Sequence, residues 1–186
     1  MNTRVFASLK EHLDCALRME TLAGPLQMAG ERLIQTIQAG GCAFICGNGG
    51  SAADAQHFAA ELTGRFERDR RAWPAVALTT DTSALTAIGN DYGFDYVFSR
   101  QLEALGRPGD LLIAISTSGN SRNVLQAVTQ AKAGGITSIG LLGRDGGEIA
   151  REVDLALVVP SSRTARIQEM HILILHIWCE MLDAAN

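Results

Sequence analysis

Two loops rich in glycine and hydroxyl groups follow short apolar runs, and each leads into a helix-like segment. The first is GNGGS at 47–51, after the run CAFIC at 42–46. The second is STSGNS at 116–121, which ends the run LLIAIS at 111–116. Backbone N–H groups at a helix start, with hydroxyl groups beside them, bind a phosphate dianion without needing a lysine. The pattern therefore favours a phosphorylated ligand.

The second loop has more hydroxyl groups than a helix start requires. Four of its six residues carry one, whereas a single Ser or Thr is enough to cap a helix. The excess favours a phosphate monoester over simple N-capping. These hydroxyl residues are Ser116, Thr117, Ser118 and Ser121.

The first loop also satisfies the dinucleotide pattern G-x-G-x-x-A, but the rest of that site does not follow. The acidic residue that binds the ribose should end a second strand about 20 residues further on. The next strand-like run begins only at Ala75, and its acid is Asp81. We therefore predict a loop for something smaller than NAD.

Two pairs of polar residues at helical spacing are candidates for chemistry on the rest of the ligand. His57 and Glu61 are four residues apart, which places them on one face of a helix, about 40° apart. Gln168 and His176 lie two turns apart in the last predicted helix, and a buried Gln or His needs a polar partner. Such pairs serve metal binding, acid–base catalysis or an ordinary hydrogen bond. His171 is interpreted as a satisfied interface histidine without a role.

The hydrophobic pattern predicts an α/β scaffold for these residues. Short apolar runs alternate with helix-like stretches, which indicates a five-stranded parallel sheet covered on both faces, a three-layer sandwich. The predicted strands are 42–46, 75–79, 111–116, 138–143 and 155–160, and the helices between them are 51–64, 82–89, 93–104 and 120–134. Asn90 and Asp91, after one of these helices, suit a structural turn and a binding role equally well.

Apolar helical segments begin and end the chain. Residues 1–39 form a predicted helical segment, broken into two helices at Gly24-Pro25, ahead of an α/β core at 40–186. The whole chain is predicted to be one domain. The last helix, 165–185, is apolar on nearly every side, whereas a surface helix is apolar on one. We predict that a neighbouring subunit buries it, with the N-terminal segment as its partner, and hence an oligomer.

Composition and charge exclude several classes of protein. The chain of 186 residues is 47% hydrophobic and 19% charged, which argues against disorder. A net charge of −4 without a long Lys/Arg run argues against a nucleic-acid surface. The four cysteines form no C-x-x-C pair, and neither a signal peptide nor a membrane span is visible, which predicts a cytoplasmic protein with reduced thiols.

Taken together, the motifs resemble the SIS (sugar isomerase) domain family, and within it most closely the phosphoheptose isomerases. The resemblance covers almost the whole chain and is strongest in CGNGGSAADAQHFAAELTGRF, AIGNDYGF, LLIAISTSGNS, GRDGG and ARIQEMHILILH. It implies isomerisation of sedoheptulose 7-phosphate to D-glycero-D-manno-heptose 7-phosphate through an enediol. That reaction begins bacterial ADP- or GDP-heptose biosynthesis, which supplies lipopolysaccharide among other glycans. No nucleotide cofactor and no membrane partner are implied.

The resemblance also implies site residues and an assembly. It implies a homotetramer with active sites between subunits and one zinc ion per subunit. The zinc ligands would be His57, Glu61, Gln168 and His176. The substrate contacts would be Asn48, Gly49, Gly50, Glu61, Asn90, Asp91, Ser116, Thr117, Ser118, Ser121 and Gln168. Ala165 stands where some family members carry an aspartate.

For the isomerisation we assign Glu61 as the base and His176 as the acid. A carboxylate bound to a cation is a poorer base, and glutamine is an uncommon zinc ligand. Two alternatives therefore stay open: reversible metal binding, or a metal that mainly organises the site.

Other functions of SIS proteins match parts of the same sequence. Some members bind the bacterial replication initiator DnaA without catalysis, and TTDTSALTAI and TARIQEMH resemble that branch too. The presence of both Glu61 and His176 favours the isomerase. Isomerases of other sugars, such as arabinose 5-phosphate, stay possible because pocket depth sets the sugar length. Sugar-phosphate sensors and amino-sugar isomerases usually carry a fused domain, for which we see no room.

Overall fold

The computed structural model describes residues 3–185 and contains one five-stranded sheet between two layers of helices. The strands are β1 (Ala43–Cys46), β2 (Ala75–Ala77), β3 (Leu111–Ser116), β4 (Thr137–Leu142) and β5 (Leu155–Val158). The helices are α1 (Thr3–Arg18), α2 (Ala23–Gln38), α3 (Gly50–Thr63), α4 (Thr82–Asp91), α5 (Ser99–Leu105), α6 (Arg122–Ala133), α7 (Ile149–Glu152) and α8 (Thr164–Ala184). All pairs are parallel, in the order β2-β1-β3-β4-β5, so the predicted three-layer α/β architecture is confirmed.

The central strands bury side chains on both faces of the sheet, which is why they read as continuous apolar runs. Ile45 and Ile113 face the core formed with α1, α2, α3 and α8. Phe44 and Leu112 face the core on the other side, formed with α5, α6 and α7. The chain leaves the carboxyl end of β1 towards one helix layer and that of β3 towards the other, and the gap between the two connections can hold a ligand.

Several boundaries differ from the sequence prediction. The N-terminal helical segment is interrupted at a 3-10 turn, Met19–Leu22, and Gly24-Pro25 instead lie in the first turn of α2. Proline is tolerated there because the first N–H groups of a helix have no intrahelical partner. The predicted helix at 93–104 is instead a 3-10 turn, Phe94–Tyr96, followed by α5.

The last helix is buried by its own chain, not by a neighbouring subunit as predicted. Trp178 is 0% exposed in α8, and its Nε1–H donates to the carbonyl of Leu26 in α2 at 3.1 Å. The N-terminal segment is thus its partner, but within one chain. The apolar stripe left exposed is on α1: Val5, Phe6, Leu9, Leu13 and Leu17. Although α8 is apolar, no helix within residues 3–185 is long and apolar enough to cross a membrane.

Candidate active site

The two glycine- and hydroxyl-rich loops meet at the carboxyl ends of neighbouring strands. β1 pairs with β3, and the helices that follow them, α3 and α6, pack on opposite faces of the sheet. Ligands bind in the crevice that such a divergence opens. Asn48 of the first loop and Asn123 of α6 exchange two side-chain hydrogen bonds, at 2.8 and 2.9 Å. The loops therefore form one site, and Asn123 is a member that the sequence analysis missed.

The hydroxyl groups of the second loop point at one another. Ser116 Oγ lies 2.9 Å from Ser121 Oγ and 3.5 Å from Ser118 Oγ. Ser121 occupies the N-cap position of α6, but its side chain makes no capping hydrogen bond. The first N–H groups of a helix have no intrahelical partner, so here they are left for a ligand. The arrangement argues against N-capping and for anion binding; Thr117 lies in the same loop, half-buried.

A third loop supports this phosphate-type loop from the side. Gly119 has a φ of 68°, and a Cβ on it would lie 2.1 Å from the carbonyl oxygen of Gly146. Ile149 N–H donates to the Gly119 carbonyl at 3.0 Å, and Glu148 N–H donates to Asn120 Oδ1 at 3.0 Å. The GRDGG stretch at the end of β4 therefore holds the second loop in place, and glycine is required for the close approach.

The first loop needs its glycines for two different reasons. Gly49 adopts φ 58° and ψ −120°, a conformation that L-residues rarely reach. Gly50 lies against Gln168, since a Cβ on Gly50 would be 2.3 Å from Gln168 Nε2. The amide of Gln168, which comes from α8, is thereby placed at the start of α3.

Three of the predicted chemical side chains converge between α3 and α8. His57 Nε2 lies 3.0 Å from His176 Nε2 and 3.5 Å from Glu61 Oε1. The ring of Phe66, in the loop after α3, stacks on His176 with centroids 5.7 Å apart. The side chain of His57 is 47% exposed and that of Glu61 22%, so the cluster is open to a ligand.

The donor atoms of this cluster match a zinc site in some respects only. Two nitrogens bound to one tetrahedral zinc at about 2.0–2.1 Å lie about 3.3 Å apart, close to the 3.0 Å between His57 and His176. Glu61 and Gln168 offer oxygen atoms. Within residues 3–185, no group of three or more His, Cys, Asp and Glu side chains is arranged to hold a metal ion, so His57, Glu61 and His176 do not by themselves form a metal site in this structure.

Within residues 3–185, Asn90 and Asp91 make no side-chain hydrogen bond to this cluster. They form the last two residues of α4, not a turn, and Asn90 Nδ2 donates to Asp91 Oδ1 at 2.8 Å. No residue of α4 is buried in this chain. These two predicted contact residues are thus exposed at the C-terminal end of α4, whose Leu85 and Ile88 pack against the core.

Two other ionisable residues of the same helices are removed from solvent, His171 fully and Asp54 in part. His171 is 0% exposed, its Nε2–H donates to the Leu142 carbonyl at 3.0 Å, and it lies in the core of its own chain instead of at an interface. Burial lowers the pKa of His171 to about 4, although the hydrogen bond opposes the shift. Asp54 lies one turn before His57; burial raises its pKa, and His57 opposes the shift.

Comparison with known proteins agrees with this geometry. The SIS domain family matches residues 9–143. The phosphoheptose isomerase of Campylobacter concisus is 56% identical over 185 residues, covering 100% of this chain and 98% of that protein. That of Aliarcobacter butzleri is 59% identical over 184 residues, covering 98% and 97%.

Two solved structures give the same result in three dimensions. The phosphoheptose isomerase of Neisseria gonorrhoeae superposes with a TM-score of 0.93 at 54% identity, covering 97% of each chain. The structure of a Francisella tularensis phosphoheptose isomerase superposes with a TM-score of 0.94 at 36% identity, again covering 97% of each chain. The chain therefore belongs to the SIS domain family, in its phosphoheptose isomerase branch, and is an aldose–ketose isomerase.

Proposed function

We propose that the protein converts sedoheptulose 7-phosphate to D-glycero-D-manno-heptose 7-phosphate, the first step of bacterial ADP- or GDP-heptose biosynthesis. The observation that carries the proposal is the convergence of Glu61 and His176 from two helices, beside a loop built for an anion. The names of the relatives support a seven-carbon sugar phosphate as substrate.

The two parts of the site divide the substrate between them. The hydroxyl groups of Ser116, Thr117, Ser118 and Ser121, with the first N–H groups of α6, would bind the phosphate. Asn48, held by Asn123, would bind a hydroxyl of the carbon chain, as would Gly49 and Gly50 through their backbone. With the substrate bound in this way, C1 and C2 would lie at the His57–Glu61–His176 cluster.

The reaction moves one proton between carbons and another between oxygens. Glu61 removes a proton from C1, the C1–H electron pair forms the C1=C2 bond, and the C2 carbonyl oxygen takes a proton from His176. The resulting enediol then loses the O1 proton to His176, the C1 carbonyl forms, and protonated Glu61 returns its proton to C2. Both residues end as they began, as isomerisation requires.

The same cluster would hold one zinc ion per subunit through His57, Glu61, Gln168 and His176. When bound, the ion would supply stabilisation of the negative charge that develops on the substrate oxygens. Because a cation favours the deprotonated carboxylate, tight binding and base catalysis by Glu61 oppose each other. Chelator treatment separates an essential ion from one that only organises the site.

We also propose that the active form is a homotetramer with sites between subunits. The exposed apolar stripe of α1 and the exposed side of α4 provide surfaces for neighbouring copies. A neighbouring subunit that covers α4 would bring Asn90 and Asp91 into a complete site.

The test is turnover of sedoheptulose 7-phosphate by the purified protein, with and without chelator, with detection of the aldoheptose phosphate. Glu61→Gln keeps the shape of the side chain but removes the base, so we expect turnover to fall by about 10²- to 10⁴-fold in a folded oligomer. Glu180→Gln, at an exposed position of α8, is the matched control and should stay active.

Substantial turnover by Glu61→Gln would contradict the assignment of the base. Absence of product from folded wild-type protein would contradict the reaction itself, and binding to DnaA would then be measured.

A further inference from the structure

A buried ion pair joins the ends of the two helices that carry the proposed acid and base. Arg70 lies in the loop between α3 and β2, and Asp183 lies in the last turn of α8. Arg70 Nε donates to Asp183 Oδ1 at 3.0 Å, and the two side chains are only 3% and 5% exposed. The guanidinium also stacks on the ring of Trp73, 3.4 Å from its centroid. The guanidinium of Arg70 is thus held by Asp183 and by the ring of Trp73.

The guanidinium of Arg70 closes the C-terminal end of α3 at the position of the proposed base. Arg70 Nη2 donates to the backbone carbonyl of Glu61 at 2.7 Å, and Nη1 donates to that of Leu62 at 3.0 Å. The last carbonyls of a helix have no intrahelical partner, and a cation there is favourable. Arg70 therefore holds the backbone of Glu61 directly.

Asp183 holds the other side of the same loop. Its Oδ2 accepts hydrogen bonds from the N–H groups of Glu67 and Arg68, each at 3.1 Å. A carboxylate at a helix C-terminus is disfavoured by the helix dipole, so these contacts offset a real cost. The residue before Glu67 is Phe66, whose ring stacks on His176. A fixed loop therefore also holds the Phe66 ring against His176, the proposed acid.

We propose that Arg70 and Asp183 are positioning residues of the isomerase: Arg70 fixes Glu61 through its carbonyl, and Asp183 fixes His176 through the loop that carries Phe66. The inference rests on the proposed roles of Glu61 and His176. A buried ion pair often contributes little net stability compared with apolar packing, so we explain this pair by the geometry that it imposes on the two helix ends. A displacement of about 1 Å at a catalytic group lowers the rate by up to about 10²-fold.

The first measurement is the steady-state kinetics of Arg70→Ala, Arg70→Lys and Asp183→Asn. We expect kcat to fall by about 10- to 100-fold and KM to change by less than about threefold, since the phosphate loop is untouched. Arg70→Lys keeps the charge but not the planar fork, so most of the loss should remain. Lys132→Ala, which removes an exposed ion pair with Glu152, is the matched control and should leave kcat unchanged.

Circular dichroism and gel filtration at the assay temperature show whether each variant is folded and assembled. If kcat stays within twofold of wild type in Arg70→Ala, or if the loss equals the unfolded fraction, the proposal is wrong. Asp183→Asn keeps the side-chain volume and is the variant of choice if Arg70→Ala does not fold.

Hydrogen exchange tests the proposal even if the wild type does not turn over the heptose phosphate. The amides of Gly64 and Trp73 donate to the carbonyls of Ala60 and Leu62 at the end of α3. In Arg70→Ala we expect both amides to exchange faster while those of α6 do not change. Unchanged exchange at Gly64 and Trp73 would overturn the positioning role, whereas an inactive wild type with faster exchange would contradict only the proposed reaction.

Discussion

At the scale of single residues, the buried His171 makes the stability of the folded protein depend on pH. Burial lowers the pKa of this imidazole from 6.5 to about 4, so the unfolded chain binds a proton that the folded chain does not. Stability contributed by the neutral ring is present above pH 6.5 and is lost as the pH falls towards 4. We expect about 2 kcal/mol of this contribution to disappear between pH 7 and pH 5.

Urea unfolding at the two pH values measures that loss. His171→Gln keeps a side chain able to donate to the Leu142 carbonyl but cannot titrate, so its stability should depend less on pH. An equal pH dependence in the variant and the wild type would show that another group is responsible.

The sequence identified the residues proposed for the reacting end of the site, but it did not identify the residues that hold them in place. His57 and Glu61 could be paired because helical spacing places them on one face. The contact of His176 with His57 joins positions 119 residues apart, and it was reached only through a family resemblance. Asn123 and Arg70 carry no local signal, because their partners Asn48 and Asp183 are distant in the chain.

At the scale of elements, the loop after β4 determines the shape of the phosphate-type loop after β3. Gly119→Ala would place a Cβ at 2.1 Å from the Gly146 carbonyl, with a φ of 68° that alanine disfavours. Strain of about 1–3 kcal/mol would be relieved by moving the loop, so we expect KM for the sugar phosphate to rise by about tenfold or more.

Steady-state kinetics on the folded variant measure this change. Gly134→Ala, at the other end of α6, is the matched control, because its nearest neighbour would be an ordinary 3.4 Å away. A KM that rises equally in both variants would indicate general loosening of α6 instead of a local effect on the loop.

Strands and helices were predictable where their own hydrophobic pattern identifies them, whereas the element that covers a given helix was not. The continuous apolar runs of β1 and β3 follow from burial on both faces, and they were placed correctly. Because α8 is apolar on nearly every side, its sequence suggests that a neighbouring subunit buries it. Within one chain, α1, α2, α3 and the sheet already cover it, which hydrophobic periodicity alone does not reveal.

At the scale of the whole molecule, α1 carries a continuous apolar stripe that the rest of the chain leaves exposed. Its residues recur at four-residue spacing, as one face of a helix requires, with Leu13 61% and Leu17 65% exposed. Such a stripe marks an interaction surface, and closed symmetry with identical copies is the commonest way for a soluble protein to cover one. The stripe therefore supports the proposed tetramer more directly than α8 does.

Leu13→Glu places a charge in the middle of this stripe. Because the side chain is 61% exposed in the single chain, the substitution should cost the folded monomer little, whereas it would bury an unpaired carboxylate in an assembled interface. We expect light scattering after gel filtration to show a fall from four times the 19.9 kDa chain mass towards a single chain, with the far-UV circular dichroism unchanged. Arg4→Gln changes the net charge by the same amount at an exposed position outside the stripe, and it should remain assembled. If Asn90 and Asp91 act only between subunits, the dissociated Leu13→Glu protein should also lose turnover and recover it at high protein concentration; a fully active monomer would show that each chain carries a complete site.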